Sequence, residues 1–161
     1  MSSPGTYALL LRLDAPQNVA VGALGSVHLP AGYYLYVGSA HGPGGLAARL
    51  ARHRRRDGKR FHWHVDYVRA VARLVQIWSH PDERRQECEW AAAAAALPGA
   101  RIPAPGFGAS DCRCTSHFFY YPRRPEPSAF QRLTHAPVTC ECVAESWSPD
   151  RIEARGDRVE Q

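Results

Sequence analysis

Every second residue from Tyr7 to Leu13 is a large, mostly aliphatic side chain. Tyr7, Leu9, Leu11 and Leu13 fall on one face of an extended segment, with Leu10 and Arg12 on the other. That period of two commits the chain to a sheet near its start, and the following segments must supply its partners. Tyr33 to Val37 is aromatic and β-branched and reads as the next strand, ending at Gly38. Between the two, residues 14–32 carry turn chemistry around a short Val19-Ala20-Val21 segment, which predicts a small insertion with extended pieces. His41-Gly42-Pro43-Gly44-Gly45 is a loop, and Leu46 to Arg56 is predicted as a helix. Its Leu46, Leu50 and His53 share one stripe, and Arg52 and Arg56 lie on an adjacent one.

Phe61 to Val68 reads as a short helix, because Trp63 and Tyr67 fall at i, i+4. Val71 to Trp78 is a strand stopped by Pro81. Asp82 to Leu97 is predicted as a helix: acidic residues suit its positive end, six successive alanines favour it, and Pro98-Gly99 ends it. After a Pro/Gly-rich loop, His117 to Tyr121 forms one more strand. A chain of 161 residues with 45% hydrophobic content supports one domain with a real core. The prediction is an α/β (α+β) domain over 5–121. Prolines at 125, 127, 137 and 149 with mixed charge predict a poorly ordered tail over 122–161.

The formal charge is +5. Residues 1–121 hold 14 Lys+Arg against 8 Asp+Glu, whereas 122–161 hold 6 against 7, so the excess lies in the folded part. Arg49, Arg52, Arg54, Arg55, Arg56, Lys59 and Arg60 stand against Asp57 alone. Such a field favours polyanions, nucleic acid above all; an ordinary solvated helix face is the bland alternative. No signal peptide and no apolar run approaching the ~20 residues of a membrane span is seen. A cytoplasmic protein without membrane partners is expected, with Cys88, Cys112, Cys114, Cys140 and Cys142 reduced.

Two tyrosine-glycine elements, Gly5-Thr6-Tyr7 and Tyr36-Val37-Gly38, bracket the first strands. A helix carrying Leu46-Ala47-Ala48-Arg49-Leu50 and His53 follows at once, and Glu87 lies on the alanine-rich helix. Two phenols, a guanidinium, an imidazole and a carboxylate in this order make the chain resemble the GIY-YIG nuclease superfamily. The stretches Gly32–Ala40, His62–Tyr67, Glu87-Cys88 and Gly106–Cys114 are similar to a subgroup described as a domain of unknown function, fused in some archaea to an endonuclease III-type glycosylase. The resemblance implies a small antiparallel three-stranded sheet flanked by helices, to which the chain adds a C-terminal strand. It also implies metal-dependent hydrolysis of phosphodiester bonds, in DNA by expectation, and a DNA-repair protein as a partner.

By this resemblance Tyr7, Tyr36, Arg49 and His53 are catalytic, and Glu87, in competition with Glu89, binds Mg²⁺ or Mn²⁺. Tyr7 would act as base, directly or through His53, its phenolate made accessible by Arg49 and the cation. Tyr36 would position water or phosphate, and Arg49 would hold the non-bridging oxygens. Arg52, Arg54, Arg55, Arg56, Lys59 and Arg60 would grip the flanking backbone. Singly, each residue has a plainer role: half-buried sheet tyrosines, a surface arginine, a packed histidine. An Asn that often follows the glutamate has no counterpart among these alanines, so a catalytically inactive nucleic-acid-binding module stays open. Cys112-x-Cys114-x-x-His117, with Cys88 as a fourth, offers zinc ligands and a zinc-stabilised interaction domain as another alternative, weighed against ordinary reduced thiols. His62-x-His64 with Asp66 is a weaker metal pattern, and Trp63 between them points to packing or stacking.

Overall fold

The segment marked by the Tyr7–Leu13 alternation lies at the centre of the molecule. A computed structural model describes residues 2–56, 58–110 and 112–145. In chain order it contains β1 (Gly5–Leu13), β2 (Gln17–Ala20), a 3-10 turn at Gly22–Leu24, β3 (Ser26–Leu29), β4 (Gly32–Ala40), α1 (Gly45–Arg54), α2 (His64–Arg69), β5 (Arg73–Pro81), α3 (Glu87–Ala96), β6 (Phe118–Tyr121), α4 (Pro127–Thr134) and β7 (Thr139–Cys142). The fold is α+β. Its main sheet is antiparallel with order β6-β4-β1-β5-β7, and β2 and β3 form a separate hairpin. The three strands expected from sequence are the central β4-β1-β5, and β6 is the added strand. The sheet nonetheless has five strands rather than three, because β7 pairs with the outer side of β5.

Both faces of β1 are covered, so its polar-looking side is buried too. On one face Tyr7, Leu9, Leu11 and Leu13 pack with Leu46 and Leu50 of α1, Val65 and Val68 of α2, and the hairpin's Val19 and Leu29. On the other, Ala8 and Leu10 pack with Trp78, Trp90 and Phe130. Between Leu10 and Leu11 the pairing with β5 slips from Gln76 to Leu74, a bulge at Val75. Leu74 and Ile77 differ by an odd number and would otherwise face opposite ways; the bulge puts both into the Tyr7-side core.

Helix ends depart from the sequence reading for local reasons. α1 stops at Arg54, where Arg55 turns extended (ψ 127°), two residues before the expected end. Its last carbonyls are taken by side chains: Arg52 O by Lys59 Nζ at 3.2 Å, His53 O by Arg69 Nε at 2.9 Å, and Arg54 O by Arg69 Nη2 at 3.0 Å. α3 begins at Glu87 rather than Asp82, because the Asp82 carboxylate accepts the Arg84 amide at 2.9 Å and closes a turn there.

Part of the segment expected to be a poorly ordered tail is structured. Pro127 opens α4 at a position where its missing N–H costs nothing, and Phe130 is buried between Trp78 and Trp90, with ring centroids at 5.1 and 4.9 Å. Glu145 forms a two-oxygen pair with the buried Arg69, 2.6 Å at each contact. Residues 146–161, the rest of that tail, lie outside the described residues.

Candidate active site

The antiparallel register sets Tyr7 opposite Gly38 and Leu9 opposite Tyr36, so the two tyrosines are diagonal neighbours on one sheet face. Their ring centroids lie 6.4 Å apart. Gly38 is needed there for space: a Cβ would meet Tyr7 Oη at 2.5 Å and Cζ at 2.6 Å. The phenol crosses over this bare backbone to reach the last turn of α1, where Tyr7 Oη and His53 Nε2 share a 2.7 Å hydrogen bond. His53 is wholly buried, and its Nδ1 has no hydrogen-bond partner among the described residues.

Burial governs the charge state of this pair. It pushes the Tyr7 phenol up to about 12, although the adjacent Arg49 guanidinium pulls the other way, and it pushes Tyr36 well above the ordinary phenol range. Burial, reinforced by the Lys59 ammonium, lowers the His53 imidazole to about 3. Near neutral pH both partners are uncharged. Arg49 alone does not make the Tyr7 phenolate accessible, because desolvation outweighs its attraction; the sequence reading joined it with a bound cation.

In front of the pair opens a polar cavity of about 470 Å³, lined among others by Tyr36, Arg49, Arg85, Glu87 and Trp63. Tyr7 and His53 do not line it. They lie behind Tyr36 and Trp63, His53 being 6.2 and 5.9 Å from those rings. Arg49 is held by donating Nη1 to Ser39 O at 2.8 Å and by lying 4.3 Å over the Trp63 ring, so its guanidinium is fixed rather than loose. Glu87 is 26% exposed and, among the described residues, is the carboxylate of this cavity. Glu89 is exposed and does not line it, which separates the two candidates.

Sequence reasoning missed Arg85, which was seen as part of a helix interior, and His41, which lay in an apparent linker loop. Both line the cavity, and both ring nitrogens of His41 are buried without a hydrogen-bond partner among the described residues. His64 was placed in a metal pattern, but its Nδ1 accepts the Gly108 amide at 2.9 Å and so fixes the cavity's far wall.

The basic segment divides into two sets. Arg52 is bound to the buried Asp66 through Nη1 at 2.9 Å and Nη2 at 2.8 Å, and it also donates to Arg60 O at 2.8 Å. Lys59 Nζ, its side chain 2% exposed, lies 3.7 Å from Asp66. Arg56 is buried and lies 3.7 Å from Glu145. These three were expected to grip a nucleic-acid backbone, yet each is tied to a partner from α2 or to residue 145, with Arg56 and the Lys59 side chain buried and Arg52 half-buried. Arg54, Arg55 and Arg60 remain exposed, Arg54 in an ion pair with Glu141. Asp66 also takes the amides of His62 and Trp63 at 2.8 and 2.9 Å, which caps α2. Burial alone would raise its pKa, but Arg52 and the two amides outweigh burial and hold it at about 2. With Asp66 committed in this way, it does not join His62 and His64 as a metal ligand.

Cys88, in the first turn of α3, meets Cys112, Cys114 and His117 of the loop before β6, with one ligand atom from each within 4.8 Å of all the others. Among the described residues no other group of three or more His, Cys, Asp or Glu converges in this way. Burial, with the neighbouring thiols, pushes Cys114 up to about 12. Cys140 and Cys142 stand apart on β7, exposed.

The chain belongs to the family described as Domain of unknown function DUF123, whose model matches residues 6–138 and so runs from β1 through α4. No curated protein and no solved structure matches the chain. Among the described residues no helix is long and apolar enough to cross a membrane.

Proposed function

We propose that this chain is a divalent-metal-dependent endonuclease of GIY-YIG type, hydrolysing phosphodiester bonds in nucleic acid, with DNA the expected substrate. What supports the reading is one observation: a fixed guanidinium, a phenol and a carboxylate border a single open polar cavity, with a second phenol and its imidazole directly behind. One carboxylate in an open polar cavity suits Mg²⁺ or Mn²⁺, which keep several waters and share the rest of their shell with phosphate. Held by Glu87, such an ion would supply positive charge at the leaving oxygen.

The chain's own groups do the rest. Arg49, kept in place by Ser39 and Trp63, presents its remaining N–H groups to non-bridging phosphate oxygens. Arg85 adds a second cation at the rim. Tyr36 orients the phosphate or the attacking water from the cavity wall. Tyr7 keeps its proton beside the neutral His53 Nε2 and would act as base only where the positive charge of a bound cation, added to that of Arg49, favours its phenolate.

The same burial favours a second reading, a nucleic-acid-binding module without catalysis, since Tyr7 and His53 are shut off from the cavity. Incubation with branched, flapped, single-stranded and duplex DNA and RNA, with and without Mg²⁺ or Mn²⁺, separates the two. Cleavage that needs metal and falls at least about 100-fold in Arg49→Ala, with unchanged circular dichroism, is the expected result. Binding without cleavage of any substrate would refute the enzyme reading in favour of the module.

A further inference from the structure

The geometry points to a structural zinc site in which Cys88, Cys112, Cys114 and His117 Nε2 bind one ion tetrahedrally, locking the loop before β6 onto the first turn of α3. It lies outside the polar cavity and uses none of the groups assigned to phosphodiester chemistry. Zinc bonds of about 2.3 Å to sulfur and 2.0 Å to nitrogen place tetrahedral ligand atoms roughly 3.5–3.8 Å apart in such a site. Cys112 Sγ and His117 Nε2 are already 3.3 Å apart, and all four ligand atoms lie within 4.8 Å of one another, so rotamer adjustments of about an ångström complete the site. Three sulfurs and one imidazole form a soft, closed ligand set typical of structural zinc, and they do not suit Mg²⁺ or Ca²⁺. On binding, each thiol releases its proton to solvent, leaving three thiolates and a neutral imidazole around the ion.

The tight Cys-x-Cys spacing is no obstacle, because the other two ligands approach from a different element and from the loop's far end. The loop gains a fastener from the site. Its described ties are mostly backbone bonds: Gly106 N to Thr115 O at 2.6 Å, His117 N to Phe107 O at 2.8 Å, and Gly108 N to His64 Nδ1 at 2.9 Å. Cys88 adds a link from this loop to α3. The site also reaches the cavity. His117 Nδ1 lies 3.9 Å from Glu87 Oε2, beyond hydrogen-bonding distance, so the zinc ligand and the cavity carboxylate are neighbours without a direct bond.

The test uses the full chain, expressed with zinc supplied and purified with a thiol reductant. Elemental analysis should give one zinc per chain, and titrating the cysteines with a mercurial should release it to a chelating dye. Cobalt exchanged into the site should show thiolate-to-metal charge-transfer bands and the intense visible bands of four-coordinate cobalt. Cys140→Ser with Cys142→Ser should keep metal and spectrum, whereas Cys114→Ser should lose at least 10-fold in zinc affinity. Should Cys114→Ser fail to fold, His117→Cys keeps four ligands and should bind cobalt with a stronger charge-transfer band.

Wild-type protein without stoichiometric zinc and without the cobalt bands would overturn the assignment. So would a disulfide among Cys88, Cys112 and Cys114 in the reduced preparation, or loss of metal in the Cys140/Cys142 variant. None of these readouts depends on nucleic-acid cleavage, so the zinc site and the nuclease reading stand or fall separately.

Discussion

Replacing Asp66 with Asn tests most directly how the basic segment is used. The buried carboxylate accepts two bonds from Arg52 and one each from the amides of His62 and Trp63, and faces Lys59 at 3.7 Å. Asparagine keeps the shape but removes the opposing charge and turns a donor group toward a site where only donors converge. Breaking a buried pair by removing one partner costs about 3–5 kcal/mol. Two features favour the lower end of that range. Lys59, already lowered to about 8 chiefly by burial, can shed its proton, and Arg52 keeps Arg60 O and the Trp63 face. A loss of about 3 kcal/mol near neutral pH is expected.

That loss should depend on pH in a defined direction. The folded pKa of Asp66 is depressed from an ordinary 3.8 to about 2, so its stabilisation is present above the unfolded value and lost as pH falls through the folded one. The gap between wild type and Asp66→Asn should therefore narrow by roughly 1 kcal/mol between about pH 6 and about pH 3. His53, lowered by burial to about 3, weakens both proteins over the same window, so the difference between them reports Asp66. Urea unfolding followed by tryptophan fluorescence at several pH values gives the numbers. A difference below about 1 kcal/mol near neutral pH, or one that stays constant on acidification, would refute the reasoning. Arg52 and Lys59 would then be available to a polyanion, as the charge count alone implies.

Tyr7→Phe should leave the fold intact but cost about 1–3 kcal/mol in urea unfolding, because it removes the partner of a buried imidazole nitrogen; no measurable loss would mean the 2.7 Å contact carries no weight. Gly38→Ala should force the phenol aside, at about 1–3 kcal/mol, and move the His53 ring resonances in NMR spectra; unchanged resonances would contradict the packing described. Replacing the exposed Arg54, Arg55 and Arg60 together by Ala should lower the slope of log affinity against log salt by about 2–3 units with little effect on stability, and an unchanged slope would make these residues a solvated face.

The sheet centre was legible because its signals are local. Alternation from Tyr7 to Leu13 needs no knowledge of partners, and parity along the strand already puts Tyr7 with the core leucines. β7 was not legible. Its residues are exposed on an edge strand, and what fixes the segment is the burial of Phe130 against Trp78 and Trp90 together with the Glu145–Arg69 pair, contacts made across about forty residues of sequence or more. Prolines at 125 and 127 looked like signs of disorder, yet one of them opens a helix. The start of α3 was misplaced for a similar reason: Asp82 suits either a helix start or a turn, and only the position of the Arg84 amide separates the two.

The candidate site divides along the same line. Tyr36, Arg49 and Glu87 were reachable from residue order, and the cavity brings them together; Arg85 and His41 join them through the path of loops that carry no pattern. The basic run shows the limit most clearly. Seven cations against one acid between residues 49 and 60 look like a surface field when counted along the chain. In space, Asp66 on the next helix is shared by Arg52 and Lys59, and Glu145 at the far end of the described chain is shared by Arg56 and Arg69. Cations held by a buried or half-buried partner are poorly placed to touch a polyanion, so direct contacts to one would come from other groups. Arg49 and Arg85 at the cavity are such groups, with Arg54, Arg55 and Arg60 exposed along the segment beyond. At the cavity two guanidiniums stand against the one carboxylate of Glu87, beside Tyr36, which is where the proposed function would seat a phosphodiester.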